Sequence, residues 1–370
     1  MDIIGIIAEY NPFHNGHIYH INKIKEMYPN SIIVLVLNGY FLERGEISIE
    51  SVQSKTVIAL QNKVDIVLSL PFIFGSNSAD TFSDAALEIL NAVGINKLIF
   101  GSESCNIKLL NELAEKSLDN EYNNSVKKHL KDGVNYPTAL NKALGISVNT
   151  PNDLLGLSYV KTIKKNKYNI EAIPIKRTNN YHDNDKNEGI VSASNIREKI
   201  NNNIDISEYV PNTNYINKID YDLYFKLLKY KIINDNDLSN YLTVDEGIEH
   251  RLKKVINECN NIQELINKVK TKRYTYNRIN RMFVHILIGL TKEDKLNNTH
   301  NTYIRLLGFN TNGKKYINSI KKDVNIPILS NLKNIDSIIK DYDIKAYNIY
   351  NMLVDEDILE FEKSNKIIQV

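Results

Sequence analysis

The chain has 370 residues, which at roughly 100 to 200 residues per domain predicts two or three domains and excludes a lone small module. Hydrophobic residues make up 42% and charged residues 24% of it, close to the average for soluble globular proteins, so wholesale disorder and a fibrous repeat are excluded. The formal net charge of +2 gives no overall sign of a polyanionic partner, although a near-neutral total can hide a local patch of charge.

The cysteines and the N-terminal segment indicate a cytoplasmic setting. Cys105 and Cys259 lie far apart, so by themselves they form neither a disulfide framework nor a four-ligand zinc site. The first ten residues, MDIIGIIAEY, carry no basic segment and reach Glu9 after a short apolar run, which is typical of a buried strand and not of a signal peptide. No stretch approaches the roughly 18 uninterrupted apolar residues of a membrane span. We therefore expect a cytoplasmic protein that does not cross a membrane.

The first half alternates short β-branched runs with segments of helical periodicity. Strands are predicted at residues 3–8, 31–37, 64–70, 97–100 and 168–175, and helices at 49–61, 79–93 and near residue 194. Between the first two strands, Ile18, Ile21, Ile24 and Met27 recur every third residue, so a helix there can bury one stripe against the sheet. This order predicts an α/β fold with a Rossmann-like parallel sheet covered by helices.

Strand signals fade after about residue 205. The remaining sequence is typical of helices, for example over 245–256 and 276–290, and an Asn- and Pro-rich stretch over 201–217 interrupts the pattern. We therefore predict an α/β domain over 1–205 and a mainly α-helical domain over 206–370.

Polar segments follow four of the predicted strands. They read EYNPFHNG, NGYFLERG, GSES and KRTNN in chain order. In open α/β sheets, ligands bind outside the carboxyl ends of the strands. The functional site is therefore predicted at this edge of the sheet.

The segment from Asn11 to His17, NPFHNGH, follows the first strand and opens the first helix. Gly16 lets the backbone approach a ligand closely, and His14 and His17 can project from a helix start, where free N–H groups favour phosphate. Imidazoles there can donate to an α-phosphate as charge builds on its oxygens. The segment therefore predicts a nucleotide site. Two alternatives stay open, because His14, His17 and His20 could instead bind a metal or form a polar surface.

This segment resembles the HxGH signature of the nucleotidylyltransferase superfamily, whose members join an adenylate to an acceptor or make an acyl-adenylate. The segment SASNIR, from Ser192 to Arg197, is similar to the second phosphate motif of that superfamily, in which a Ser at a helix N-terminus and an Arg one turn later bind the triphosphate of ATP. Alone, SASNIR is only a good helix start with an N-cap Ser. Together the two motifs favour an ATP site in which His14, His17 and Arg197 carry the chemistry.

Further segments narrow the resemblance to one family, the bacterial tRNA(Met) cytidine acetate ligases. They are IIAEYNPFHNGH (6–17), FGSES (100–104), TPNDLLGLSYVK (150–161), IPIKR (173–177), YHD (181–183), SASNIR (192–197) and KRYTYNRINR (272–281). The resemblance implies a nucleotidylyltransferase-like fold and a two-step reaction. Acetate and ATP would give acetyl-adenylate and pyrophosphate, and the acetyl group would then pass to N4 of the wobble cytidine of elongator tRNA(Met).

The resemblance also implies which residues contact ATP. These are Ile7, Ala8, Glu9, Tyr10, Asn11, Pro12, Phe13, His14, Asn15, Gly16, His17, Ile18, Tyr19, His20, Gly101, Asn152, Arg177, Ser194 and Arg197. Physically, Gly101 permits close backbone approach, Asn152 offers a donor and an acceptor, and Arg177 offers a planar fork for phosphate. Each also has an ordinary interpretation, as a turn glycine, a helix N-cap and a solvated charge at a strand end.

One segment departs from the family pattern. LNGYFLERGE (37–46) stands where Ser-Gly-Asn-Phe-x-Gln-Arg-Gly-Glu is typical. The departure leaves the family's contacts unassigned at Asn38, Tyr40 and Glu43, whereas Arg44-Gly45-Glu46 is kept.

The implied chemistry sets further requirements. Acetate is a poor acyl donor because its leaving group would be oxide. An acyl-adenylate has AMP as its leaving group, and the exocyclic amine of cytosine is a weak nucleophile that needs such a donor. The intermediate needs a pocket that excludes water, and the cytidine must be splayed out of its loop to enter it. Mg²⁺ is expected to accompany ATP, and the sequence identifies no protein ligand for a metal.

A local basic stretch is the predicted site of tRNA contact. Between Glu264 and Glu293 there is no acidic residue, and the stretch contains Lys268, Lys270, Lys272, Arg273, Arg278, Arg281 and Lys292, with Tyr274 and Tyr276 interleaved. Basic side chains neutralise phosphates, and a tyrosine can stack on an unpaired base. We expect Lys272, Arg273, Arg278 and Arg281 to contact the tRNA, although a run of charge is also typical of a solvated helix face.

Two other functions are compatible with the motifs. An adenylyltransferase acting on a small phosphorylated cofactor precursor would carry the same phosphate motifs, but it needs no long basic helical half. A non-catalytic, nucleotide-dependent RNA-binding protein would keep the fold, but it need not retain His14, Gly16, His17, Ser194 and Arg197. No obligate protein partner is implied by either the motifs or the resemblance.

Overall fold

The first half of the chain forms the parallel part of one sheet. The computed structural model describes residues 1–132, 134, 136–145, 148, 150–177, 189–333, 335–364 and 366–370. The first five strands are β1 (Ile3–Ala8), β2 (Ile32–Asn38), β3 (Ile66–Leu70), β4 (Lys97–Ser102) and β5 (Glu171–Lys176). Each strand lies within three residues of its prediction, because uninterrupted β-branched and apolar runs are typical of strands buried on both faces. The predicted loop 179–187 and the YHD segment, 181–183, lie outside the described residues.

Three strands from the second half extend the same sheet. They are β6 (Ile304–Phe309), β7 (Ile328–Leu329) and β8 (Ile368–Gln369). Strand β6 pairs antiparallel with β3, which gives the order β5-β4-β1-β2-β3-β6-β7, with β8 beside β6. The expectation that only helices follow residue 205 was therefore wrong. The second half is nevertheless mainly α-helical, and the division at residue 205 stays a prediction.

Helices cover both faces of the sheet and form most of the second half. Those of the first half are α1 (Asn15–Met27), α2 (Val52–Gln61), α3 (Phe72–Gly75), α4 (Ala79–Ala92), α5 (Ile107–Ser117), α6 (Asn120–Lys131), α7 (Tyr136–Leu144), α8 (Pro151–Asn166) and α9 (Ala193–Asn201). Those of the second half are α10 (Tyr221–Asn234), α11 (Ile248–Val255), α12 (Ile262–Val269), α13 (Tyr276–Ile288), α14 (Lys292–Asn297), α15 (Thr311–Ile320), α16 (Ile338–Leu353) and α17 (Leu359–Ser364). Within the described ranges, no helix is both long and apolar enough to cross a membrane.

Sequence-local signals explain where several helices begin. Ser51, Ser78 and Ser192 are N-caps of α2, α4 and α9, and each hydroxyl accepts a hydrogen bond from a backbone N–H in the first turn. In α1, Ile21 and Ile24 of the predicted stripe are buried, whereas Met27 is exposed. The helix therefore ends as it leaves the sheet, and its first turn lies at the carboxyl edge.

Helix α13 packs directly against the loop that follows β2. Gly45 of this loop has φ +72°, and a Cβ there would lie 2.3 Å from the backbone nitrogen of Arg281. The interior side of α13 is apolar, with Met282, Phe283 and Ile286 each 0% exposed. The helical half is thereby held against the edge of the sheet where the predicted site residues lie.

A buried histidine in α13 predicts that the fold loses stability in acid. His285 is 0% exposed, and its Nε2 lies 2.7 Å from the carbonyl oxygen of Ser76. Burial lowers the pKa of His285 to about 4 from its ordinary value of 6.5, so the unfolded chain binds more protons between these pH values. The contribution of neutral His285 to the free energy of unfolding is complete above about pH 6.5. It falls by about 1.4 kcal/mol per pH unit as the pH falls toward 4.

We expect His285→Gln to reduce the loss of thermal stability between pH 7 and pH 5. Melting temperatures of the parent, this variant and His300→Gln at both pH values measure it. His300 is exposed and pairs with Glu88, so its variant is the surface control. Equal pH dependence in the parent and in His285→Gln would show that His285 protonates freely in the folded state.

Candidate active site

The turn from β1 into α1 orients two imidazoles toward one side. His14 is the N-cap of α1, and its Nδ1 accepts a hydrogen bond from the backbone N–H of Gly16 at 3.0 Å. The Nδ1 of His17 accepts from the backbone N–H of His14 at 3.1 Å. A Cβ on Gly16 would lie 2.7 Å from Cε1 of His14, so glycine is required for the close turn. Because both Nδ1 atoms are acceptors, the proton of each neutral ring lies on Nε2, which is left as a donor.

The electrostatics keep these rings neutral. Burial lowers the pKa of His14 to about 3, with the positive charges of Arg177 and Arg197 as further causes. Burial and the neighbouring His14 also lower the pKa of His17 well below its ordinary value. Burial and the charge of Arg177 lower the pKa of His20 to about 4. Two guanidinium groups thus act on the imidazoles from nearby, and the site favours an anion over a proton.

The metal-site alternative for the three histidines receives no structural support. In the described parts of the chain, no group of three or more His, Cys, Asp or Glu side chains is arranged to hold a metal ion. The ring centroids of His14 and His17 lie 3.9 Å apart with the rings tilted by 35°, and both Nδ1 atoms accept hydrogen bonds from backbone N–H groups. These contacts orient the rings as hydrogen-bond donors.

The second predicted motif meets the first in space. The Arg197 guanidinium donates to the carbonyl oxygen of Asn11 at 2.7 Å and to the Glu46 carboxylate at 2.9 Å. Its Nη2 lies 3.5 Å from Oγ of Ser194. Helix α9 therefore presents Ser194 and Arg197 to the loop that carries the histidines, although the two segments are far apart in the sequence.

Three predicted ATP contacts line the neighbouring strand ends. Gly101 in β4 lies beside Arg177, whose Cγ would be 3.4 Å from a Cβ on Gly101. Asn152 lies in the first turn of α8 and donates to the Glu103 carboxylate at 2.5 Å. The N-cap of α8 is Thr150, so the interpretation of Asn152 as an N-cap is wrong. All three residues lie at the carboxyl edge that the sequence predicted.

The remaining residues of the predicted loop divide into supporting and lining positions. Phe13 is 0% exposed and packs in the core, so its side chain supports the loop and does not line the site. Tyr19 is exposed and lies two residues beyond His17, on another side of α1. Asn15 donates to the carbonyl oxygens of Gly189 and Glu208. Of the rest, Ile7, Ala8, Glu9, Ile18 and His20 are half-buried, and Tyr10, Asn11 and Pro12 are buried.

Sequence reasoning missed a buried lysine beneath the loop. Lys55 of α2 is 0% exposed, and its Nζ donates to the carbonyl oxygens of Glu9 at 3.0 Å, Asn38 at 2.9 Å and Gly39 at 2.8 Å. The carboxylate of Glu50, also buried, accepts from the backbone N–H of Phe13 at 2.7 Å. Burial lowers the pKa of Lys55 and raises the pKa of Glu50. A charged residue shortly before the apolar run VIAL of α2 was the one available signal.

The segment that departs from the family pattern, residues 37–46, contacts three different parts of the protein. Asn38 donates to the Glu9 carboxylate at 2.8 Å, which keeps it next to the predicted site. Tyr40 turns away and donates to the Glu362 carboxylate at 2.5 Å. Glu43 accepts from Arg281 of α13 at 3.1 Å, and burial raises the pKa of Glu43 to about 7. The segment therefore connects the strand ends to the helical half.

The stretch predicted to contact tRNA is less positively charged in the folded protein than its sequence suggests, because acidic side chains lie beside its arginines. Arg278 lies 3.3 Å from the Asp245 carboxylate and 4.1 Å above the ring of Tyr274, Arg273 lies 3.2 Å from the Glu246 carboxylate, and Arg281 is paired with Glu43. Tyr274 is 3% exposed, so the idea that it stacks on an RNA base is wrong. Lys270, Lys272 and Tyr276 are exposed. Acidic side chains from other parts of the chain account for the difference.

At one edge of the largely parallel sheet, two histidine donors at the start of α1 lie close to an arginine from a later helix. This fold and this site define a nucleotidyltransferase-type enzyme. A family model described as HIGH Nucleotidyl Transferase matches residues 1–365. Proteins named tRNA(Met) cytidine acetate ligase are similar along most of the chain. The one from Oceanobacillus iheyensis is 35% identical over 362 residues, covering 90% of each chain. The one from Bacillus subtilis is 34% identical over 387 residues, covering 96% of this chain and 93% of that one.

Solved structures agree with the sequence comparisons. The apo form of Thermotoga maritima TmcAL matches with a TM-score of 0.88 and 27% identity, covering 96% of each chain. The form of that protein bound to alpha-thio ATP matches with a TM-score of 0.85. The chain therefore belongs to the tRNA(Met) cytidine acetate ligase family, and the predictions of its fold, its family and its enzyme class are confirmed.

Proposed function

We propose that this protein acetylates N4 of the wobble cytidine of elongator tRNA(Met), with ATP and acetate as co-substrates. One observation carries the proposal: the Nε2 donors of His14 and His17 and the guanidinium of Arg197 lie at the same edge of the sheet. The names of the relatives support the tRNA substrate. The alpha-thio ATP bound to the Thermotoga protein supports the nucleotide.

In the first step, acetate attacks the α-phosphate of ATP and pyrophosphate leaves. Neutral imidazoles donate to the phosphate oxygens on which charge builds, and Arg177 and Arg197 supply positive charge beside them. Arg197 already binds the Glu46 carboxylate at 2.9 Å, so an anion fits the geometry of its fork. Ser194 completes this phosphate side of the site.

Mg²⁺ belongs to the proposal as part of the ATP substrate. In its described ranges the chain offers no group of three or more metal-binding side chains. The triphosphate itself would then provide much of the coordination, as phosphates commonly do for this ion. Its role would be to neutralise charge on the departing pyrophosphate.

The test is incubation of the protein with ATP, labelled acetate and total tRNA. Label in one cytidine of elongator tRNA(Met), dependent on ATP, supports the proposal. Adenylylation of a small phosphate ester without label in tRNA would support the small-cofactor adenylyltransferase instead. Tight tRNA binding without release of pyrophosphate would support a non-catalytic RNA-binding protein.

Lysines of the basic stretch are the clearest positions at which to test tRNA binding. We expect Lys270→Ala with Lys272→Ala to weaken tRNA binding and to lower the slope of log affinity against log salt by about 0.7 to 0.9 for each phosphate that the variant no longer neutralises. Arg278 and Arg281 are poorer test positions, because their substitution also breaks ion pairs with Asp245 and Glu43.

Filter binding at several salt concentrations measures this slope. Lys321→Ala with Lys322→Ala is the matched control, since both lysines are exposed and lie outside the stretch. An unchanged slope in the Lys270 and Lys272 variant would place the tRNA elsewhere on the protein.

A further inference from the structure

The transfer step needs a group that receives a proton from the cytidine amine. This inference rests on the proposed function, and it concerns the second step alone. As the amine nitrogen bonds to the acetyl carbon, it becomes positively charged unless a base takes a proton. The acceptor must lie at the carboxyl edge of the sheet, have an oxygen or nitrogen not already bonded, and be reachable from the ATP site.

The histidines of the site do not meet these requirements. His20 is excluded because its Nε2 is buried inside the protein, where a substrate amine cannot reach it. The Nδ1 atoms of His14 and His17 accept backbone N–H groups. Their Nε2 atoms carry the ring protons and are therefore donors. Such rings stabilise charge on phosphate, but they have no free lone pair for an amine.

The neighbouring carboxylates are occupied by cations or by backbone donors. Glu46 binds Arg197, and Glu43 binds Arg281. Glu103 accepts from the side chain of Asn152 and from the backbone N–H of Asp153. Glu50 is 0% exposed and lies beneath the loop. Glu43 and Glu46 are therefore held by guanidinium groups, Glu103 accepts two hydrogen bonds, and Glu50 is closed to a substrate, so each is a poorer proton acceptor than an accessible carboxylate without an ion pair.

Glu9 differs from them in its geometry. It follows β1 directly, and its Oε1 accepts from Nδ2 of Asn38 at 2.8 Å and from the backbone N–H of Glu43 at 2.7 Å. Both bonds end on Oε1, so among the described residues Oε2 has no hydrogen-bond donor. The side chain is half-buried, and two bonds fix its direction. Glu9 is therefore an oriented carboxylate with one oxygen left for a ligand.

The surroundings place the Glu9 carboxylate near α8, the helix that carries one of the predicted nucleotide contacts. Burial and the negative charges of Glu9 and Glu43 raise the pKa of Tyr159, so the Tyr159 hydroxyl lies near both carboxylates. Asn152 and Tyr159 are seven residues apart in α8, which puts them on one face of the helix. The face of α8 that carries a predicted ATP contact therefore also faces Glu9.

We propose that Oε2 of Glu9 accepts a hydrogen bond from the N4 amine of the target cytidine and takes its proton during acetyl transfer. Glutamate is a natural partner for cytosine, whose N4 group is a donor. The amine lone pair forms the C–N bond to the acetyl carbon, and the C–O bond to AMP breaks. AMP leaves with that electron pair, and one amine proton passes to the Glu9 carboxylate.

The environment makes the Glu9 carboxylate a stronger base than an ordinary glutamate. Burial raises the pKa of Glu9, with the negative charge of Glu46 acting in the same direction, while hydrogen bonds from Glu43 and Asn38 and the charge of Arg44 oppose the rise. The groups that face Glu9 are Glu43, Arg44, Glu46, Lys55 and Tyr159. Because the pKa is raised, transfer should decline as the pH falls through a value above the ordinary 4.5.

The test separates the two half-reactions in Glu9→Gln. Glutamine keeps an acceptor oxygen for Asn38 and for the backbone of Glu43, but it cannot take a proton. We expect Glu9→Gln to reduce acetyl transfer to tRNA at least ~100-fold more than it reduces acetate-dependent ATP–pyrophosphate exchange, as for loss of a general base. Glu26→Gln, at an exposed position of α1, is the control.

Three outcomes would overturn the inference. The first is unchanged acetyl transfer in Glu9→Gln. The second is an equal loss of exchange and transfer in a Glu9→Gln protein that melts like the parent. The third is acetyl transfer by the parent that stays constant from pH 7 down to 4.5. The last measurement uses the unaltered protein and does not depend on the variant folding. Absence of exchange in the parent would instead refute the proposed function, so the two failures are distinguishable.

Discussion

Replacing His17 with alanine is expected to lower formation of acetyl-adenylate roughly 100- to 1000-fold while leaving tRNA affinity nearly unchanged. The reason is that Nε2 of His17 is a pre-oriented donor to the α-phosphate, and loss of one such donor typically costs this much. The substitution also removes the acceptor of the His14 backbone N–H, so the variant alone does not separate catalysis from capping.

His17→Asn makes that separation. The Asn oxygen can accept the His14 backbone N–H much as Nδ1 does, whereas the side chain is too short to replace Nε2. We therefore expect the asparagine variant to melt near the parent and still to lose exchange activity by a similar factor. Acetate-dependent pyrophosphate exchange and filter binding of tRNA measure the two effects. His129→Ala, outside the site in α6, is the control, and an active His17→Asn enzyme would assign His17 a role in the turn only.

The parallel strands and the phosphate motifs could be predicted because their signals are local. Runs such as IIVLVLN determine a buried strand within seven residues. The histidines and Gly16 lie within one turn of each other, and each makes its hydrogen bonds inside that turn. The local structure of residues whose hydrogen-bond partners are sequence neighbours can therefore be predicted from the sequence.

The features that were missed depend on distant partners. The segment IRLLGF resembles many short apolar runs, and it becomes β6 because the edge of β3 is available to pair with it. The basic stretch contains no acid, yet Glu43 pairs with Arg281 and Asp245 pairs with Arg278. A one-dimensional charge count cannot locate such partners, so it overstated the positive surface.

Lys55 shows the same limitation most clearly, and its substitution has the second large expected effect. Lys55→Met would leave three carbonyl oxygens at the ends of β1 and β2 without their donor, and it would remove the positive charge that acts on Glu50. Leaving a buried charge or acceptor uncompensated costs about 3 to 5 kcal/mol. We expect a loss of this size in the free energy of unfolding, measured by urea denaturation.

The same substitution should also weaken the site, because the carbonyl groups of Glu9, Asn38 and Gly39 hold the two strand ends together. Lys23→Met, at an exposed pair with Glu26, should change stability by no more than about 0.5 kcal/mol. Adding Glu50→Gln to Lys55→Met should restore part of the lost stability, since the double variant no longer buries an unpaired carboxylate. If the double variant is no more stable than Lys55→Met, the three carbonyl bonds, and not the charge of Glu50, account for the role of Lys55.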